Sequence, residues 1–252
     1  MPQTAARQMA EAYLAGRART QQAFQYMEPV LDRSLLLVIG SHSIGMARPG
    51  SDLDLELIVP DEEYPSLLAA AGGVRGLWIH DEAHQPLTDI KVRPLAWLRE
   101  RLSGDDPVAL WVYQRAVVVR GLVDVFGRLL AAGLDRFRAE VAPGLVRRHY
   151  RDLRSGVTTG EVRDDLARQI MVGKVLEAAL VLPLLAAGEP YPYPKWQAWW
   201  LGASHPLGAE IVRLCGRVGE EASFRTLRRL IDGILVDAGY GESLVRDFWR
   251  KL

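Results

Sequence analysis

Residues 52–59, Asp-Leu-Asp-Leu-Glu-Leu-Ile-Val, alternate with a period of two. On an extended chain Leu53, Leu55, Leu57 and Val59 fall on one side, and Asp52, Asp54, Glu56 and Ile58 fall on the other. Upstream, "SLLLVIGS" is a short apolar run ending in Gly40-Ser41, the pattern of a buried strand. Two strands this close in sequence need a sheet to complete them, so the start of the chain is not all helical. The alternating strand also poses a chemical question. Asp52 and Asp54 project from one side, and two carboxylates so close repel unless a cation lies between them.

The neighbouring segments extend the mixed pattern. Residues 5–31 read as a helical lead-in, with Phe24, Met27, Val30 and Leu31 at helical spacing. Residues 61–72 suit a short helix. Residues 74–82 and 86–94 read as two strands joined by a turn, 95–104 and 106–115 as helices, and 116–121 as a last edge strand. Beyond Gly121 the periodicity is helical throughout, in residues 124–141, 144–156, 159–188 and 221–239. In the third of these, Leu166, Ile170, Leu176, Leu180 and Leu184 form one apolar stripe. The expected fold class is α+β: a small mixed-sheet domain over residues 1–121, then an all-helical bundle over 122–252.

The acidic pair predicts a metal. Magnesium prefers hard oxygen ligands and commonly takes one or two protein carboxylates plus phosphate oxygens. The glycine-bearing turn after the first strand supplies a place for those phosphates. Its backbone N–H groups and the Ser41 hydroxyl suit a phosphate, and Gly40 puts no side chain in the way. Two-metal phosphoryl or nucleotidyl transfer calls for a third carboxylate, as second-metal ligand or as base. Asp89 in "LTDIKV" fills that role if its strand lies beside that of Asp52. Glu56 continues the acidic face one step on and is expected to face solvent or meet a cation.

The spacing Gly40-Ser41, ten residues, Asp52-Leu53-Asp54-Leu55 resembles the signature of the nucleotidyltransferase superfamily related to DNA polymerase beta. The Ser51-Asp52-Leu53-Asp54 form is typical of that group. The layout is similar to the aminoglycoside and lincosamide nucleotidyltransferases, with a catalytic domain followed by a helical one. "PYPYPKWQAWWLG" resembles a segment of bacterial members of the same group. The resemblance implies that Asp52, Asp54 and Asp89 hold two magnesium ions, and that Gly40, Ser41 and Ser51 serve the nucleotide. It also implies a lysine from the helical domain on the triphosphate, with Lys174 and Lys195 as candidates. His42 follows the Gly-Ser pair where relatives often carry an arginine; here Arg48 comes later. The implied reaction moves a nucleoside monophosphate, with ATP as the expected donor, to a hydroxyl of a small molecule such as an aminoglycoside-like antibiotic.

Composition bounds the alternatives. The chain has 252 residues, 49% hydrophobic and 25% charged, enough for a packed core. Lys and Arg number 31 and Asp and Glu 31, so no general basic surface favours a nucleic-acid partner. Cys215 is the one cysteine, which excludes an internal disulfide and a four-cysteine zinc site. The N-terminal residues lack the apolar core of a signal peptide, and no uninterrupted apolar stretch reaches the roughly 18 residues of a membrane helix. A cytoplasmic location is therefore expected, with no membrane partner; oligomeric state stays open. "HDEAH", His80 to His84, has the wrong order for a helical zinc motif and reads as a turn. Trp196, Trp199 and Trp200 suit either helix packing or stacking on a ring. Two other readings stand beside the first: the same chemistry on tRNA or protein, and a nucleotide-sensing module without catalysis.

Overall fold

The computed structural model describes residues 2–16, 27–70, 77–82, 85–155 and 164–246. Phe24 of the lead-in and His84 of "HDEAH" lie outside these residues. The described chain forms two compact units, Met1–Leu134 and Asp135–Leu252.

The first unit is built on five strands: β1 (Leu35–Ile39), β2 (Leu53–Val59), β3 (Leu77–Asp81), β4 (Thr88–Pro94) and β5 (Val117–Arg120). Their order is β3-β4-β2-β1-β5. β1 runs antiparallel to β2 and β5, and β3 antiparallel to β4, while β2 and β4 are parallel. The alternating segment is therefore the central strand. Leu53, Leu55, Leu57 and Val59 pack with Leu36, Val38, Ile79, Ile90 and Val117 into one core, covered by Ala6, Ala10 and Tyr13 of α1 (Pro2–Ala15). Each fully buried aliphatic side chain contributes roughly 1.5–3 kcal/mol. The other face is not a solvated one. Glu56 is 5% exposed and Ile58 0%, because a central strand is covered on both sides. The solvent-facing expectation for Glu56 is thus overturned.

Short helices link the strands: α2 (Gly40–Ser43), α3 (Tyr64–Ala70), α4 (Leu95–Arg101) and α5 (Pro107–Gln114). α5 starts as its sequence directs. Asp106 caps it by accepting from the Ala109 N–H at 2.9 Å, and Pro107 fills the first turn.

α6 (Val123–Arg136) leads into the second unit, which contains α7 (Ala142–Ser155), α8 (Asp165–Ala186), α9 (Pro194–Ser204), α10 (Gly208–Cys215) and α11 (Glu221–Leu235). No strand follows Arg120 among the described residues. Asp164 caps α8 through the Ala167 N–H at 2.7 Å. This 22-residue helix is long and apolar enough to cross a membrane by length and composition alone, but its second half is packed against α7, α9, α10 and α11. The buried residues are Val175, Ala178, Ala179 and the run Val181–Leu185. Of the stripe expected from sequence only Leu184 is buried; Leu166 and Ile170 are 66% and 53% exposed. The reason is positional. A helix surrounded at one end buries several faces there, and leaves its apolar stripe uncovered at the other.

Candidate active site

The register of the sheet gathers the acidic residues. Asp54 of β2 pairs with Asp89 of β4, Ile39 of β1 pairs with Asp54, and His80 of β3 pairs with Asp89. A single row across four strands thus reads Ile39, Asp54, Asp89, His80. Asp52 precedes β2 by one residue. Asp52, Asp54 and Asp89 each bring one carboxylate oxygen within 4.8 Å of the others; the first two are half-buried and the third buried. Oxygen ligands of one octahedral magnesium sit about 3 Å apart when adjacent and about 4.2 Å when opposite. The trio is somewhat wider than the spacing on one ion, and hard carboxylate donors fit a hard divalent cation.

The electrostatics show the strain of the arrangement. Burial pushes the Asp54 carboxyl above its ordinary range, Lys91 opposes this, and the charges of Asp52 and Asp89 add to it. The Lys91 ammonium donates to Asp54 Oδ1 at 3.3 Å. Lys91 is two residues beyond Asp89 on β4 and so shares its face. The sequence carried that signal, but only as one position in a strand whose partners were unknown. Lys91→Met is expected to cost about 1 kcal/mol in chelator-containing buffer, a fall in Tm of about 2–4 °C. Added magnesium should then raise the melting temperature of the variant more than that of the wild type. Equal magnesium shifts in a thermal scan would contradict a countercharge role for Lys91.

His80 is a second residue that sequence left unassigned. Its Nδ1 donates to Asp89 Oδ1 at 2.5 Å, and its Nε2 lies 3.3 Å from Glu82 Oε1. The hydrogen bond to Asp89 raises the imidazole pKa, with the Asp89 and Glu82 charges in support and desolvation opposing. Finding this pair requires the antiparallel register of β3 on β4, which no local motif encodes.

Further along the same face, the Tyr113 hydroxyl donates to buried Glu56 Oε2 at 2.5 Å. Burial raises the Glu56 pKa, and the Tyr113 hydrogen bond opposes the rise, as do the charges of Lys91, Arg93 and Arg101. Tyr113→Phe leaves that buried carboxylate without its donor. The expected loss is about 1–3 kcal/mol of unfolding free energy, measurable by denaturant titration at neutral pH.

The turn after β1 is tied to the acidic strand. Gly40 has φ +72°, and a Cβ built there would meet Asp54 Oδ2 at 2.6 Å. The glycine thus makes room for the carboxylate itself. The next loop closes through a turn at Arg48-Pro49-Gly50-Ser51: the Ser51 N–H donates to the Arg48 carbonyl at 2.9 Å, and Gly50 has φ +86°. The Ser51 hydroxyl oxygen accepts from the Arg48 N–H at 2.9 Å, which fixes the turn just ahead of Asp52. His42 Nε2 lies 3.4 Å from the Ser51 carbonyl. The Ser41 carbonyl accepts from the Met46 N–H at 2.9 Å. Gly40 and Ser41 therefore open α2, and Ser51 ends the loop that leads into the carboxylate row.

Lys174 and Lys195 belong to the second unit. Lys174 is exposed on α8. Lys195, in the first turn of α9, sets its ammonium 4.5 Å from the centre of the Trp196 ring.

No protein-family model matches the chain, and none of the curated proteins does. Among solved structures it is similar to a nucleotidyltransferase-like protein from Exiguobacterium sibiricum 255-15. The two are 13% identical, with a TM-score of 0.49 over 93% of this chain and 79% of that one. A likeness this distant assigns neither substrate nor chemistry, which must be argued from the carboxylate row.

Proposed function

We propose that the protein is a magnesium-dependent nucleotidyltransferase that moves a nucleoside monophosphate from a triphosphate, ATP in our reading, to a hydroxyl of a small molecule. The observation that carries this reading is the convergence of Asp52, Asp54 and Asp89 within 4.8 Å, beside α2, which Gly40 and Ser41 open, and the loop that Ser51 ends. Asp52, Asp54 and Asp89 are the proposed ligands of two magnesium ions. Magnesium bound there supplies charge neutralisation for the triphosphate and the departing pyrophosphate. The acceptor oxygen forms a bond to the α-phosphorus, and the bond from that phosphorus to the bridging oxygen breaks. Pyrophosphate leaves, and the acceptor proton goes to Asp89, or to solvent where Asp89 serves as a ligand of the second metal. Lys174 or Lys195 is the proposed triphosphate lysine of the helical domain. An aminoglycoside-like antibiotic is one acceptor of the required chemistry.

The test is transfer from α-labelled nucleoside triphosphates, with magnesium or with chelator, to hydroxylated small molecules, tRNA and total protein. Magnesium-dependent label on a small molecule with pyrophosphate release supports the reading. Label confined to the RNA or protein fraction moves the acceptor to a macromolecule. Tight triphosphate binding without pyrophosphate release in any fraction replaces the enzyme with a nucleotide sensor.

A further inference from the structure

We propose that His80 is a positioning residue of this metal site: it fixes the rotation of the Asp89 carboxylate and thereby sets how tightly the site holds a divalent cation. The inference rests on the assignment of Asp89 as a ligand under the proposed function.

Three observations carry it. First, His80 and Asp89 are cross-strand partners in the β3–β4 ladder, so their backbones are set by the sheet and not by a loop. Second, the His80 Nδ1–H donates to Asp89 Oδ1, and among the described residues His80 is the only hydrogen-bond partner of that carboxylate. Without it the carboxyl group is free to turn about its Cβ–Cγ bond. With Oδ1 engaged, Oδ2 is the oxygen left for a cation. Third, the imidazole is itself held in place. Its Nε2 faces Glu82 Oε1 at 3.3 Å, and its ring meets Trp78 edge-on, with centroids 6.0 Å apart and planes at 70°. These two contacts favour the ring orientation that presents Nδ1 to Asp89. Partners that orient a metal-binding side chain typically change metal affinity by about 10- to 100-fold when removed.

Two substitutions separate the hydrogen bond from the shape of the ring. His80→Asn keeps a donor one bond beyond Cγ, close to the place of Nδ1. His80→Phe keeps an aromatic ring beside Trp78 and has no donor. His80 lies near the sheet edge with its side chain 43% exposed, so both variants are compatible with the fold. The probe is manganese(II) alone, an oxygen-seeking stand-in for magnesium, titrated by the paramagnetic resonance signal of the free ion. The expected result is a Kd raised about tenfold or more in His80→Phe, with His80→Asn close to wild type.

Wild-type affinity in His80→Phe overturns the inference. An equal loss in both variants also overturns it, since the donor then has no special part. Asp54→Ala serves as the control for the underlying reading. Manganese bound by the wild type, lost in Asp54→Ala and unchanged in His80→Phe rejects only the role of His80. Manganese bound equally by Asp54→Ala, or not bound by the wild type, rejects the metal site and the inference with it.

Discussion

Asp54→Asn is expected to lower nucleotidyl transfer by about 10³-fold or more while raising the melting temperature of the metal-free protein. The activity loss follows from the proposed role of Asp54 as a metal ligand, gathered with Asp52 and Asp89. Losing a ligand there removes several kcal/mol of charge stabilisation in the transition state, and each ~1.4 kcal/mol is a factor of ten. The stability gain follows from the raised carboxyl pKa. A raised folded-state pKa means that the fold favours the protonated form. The corresponding stabilisation is fully present below the ordinary carboxylate range and is lost as pH rises through the folded value. At pH 7 the ionised group is therefore a net cost that a neutral amide relieves. Thermal scans in chelator should show Tm higher by about 2–4 °C per kcal/mol recovered. In magnesium the advantage should shrink, because only the wild type gains a bound cation. A variant that melts lower in chelator and keeps full transfer would falsify both the metal assignment and the charge argument.

Gly40→Ala is expected to reduce transfer by about 10²-fold or more and to destabilise the first unit as well. A methyl group at Gly40 falls 2.6 Å from Asp54 Oδ2, closer than real Cβ atoms come to a neighbour. Asp54 must then rotate or the turn must move. A φ of +72° adds about 1 kcal/mol or more for any residue with a Cβ. A displacement of about 1 Å near reacting groups is enough for a 10²-fold loss. Manganese affinity and turnover should fall together, which distinguishes a displaced ligand from simple unfolding. Gly50→Ala is the matched control. It has φ +86° but nothing within 4 Å of the added Cβ, so it should lose stability and keep metal affinity. Equal effects on metal affinity at both positions would show that backbone conformation, not contact with Asp54, governs the result.

Much of this protein is legible from local sequence because local physics decides it. The two-residue alternation of 52–59 fixes which side chains share a face. The helical period of 106–115 marked a helix whose first turn the structure shows capped by Asp106. The Gly40-Ser41 and Asp52-Leu53-Asp54 spacing singled out two of the three carboxylates. The change to helical periodicity after residue 121 marked where the strands end among the described residues. Each of these signals depends on residues a few positions apart.

Pairing and enclosure are not local, and there the sequence could offer Asp89 only on the condition that its strand lay beside that of Asp52. Only the parallel register of β2 on β4 brings Asp89 level with Asp54, and only the antiparallel register of β3 sets His80 against Asp89. Lys91 became the partner of Asp54 through the same pairing. Glu56 was expected to face solvent or meet a cation; the tertiary structure covers that face, gives it Tyr113 as a donor and sets the charges of Lys91, Arg93 and Arg101 near it. Leu166 and Ile170 carry the right period for burial, yet remain exposed because the neighbouring helices enclose only the far half of α8. Local sequence set the alternating strand with Asp54 on its acidic face and Asp52 just ahead of it, the glycine turn before them and the helical second half. The tertiary structure alone decided which distant residues meet those carboxylates, because strand register and helix enclosure are set by the whole packed chain and not by neighbours in sequence.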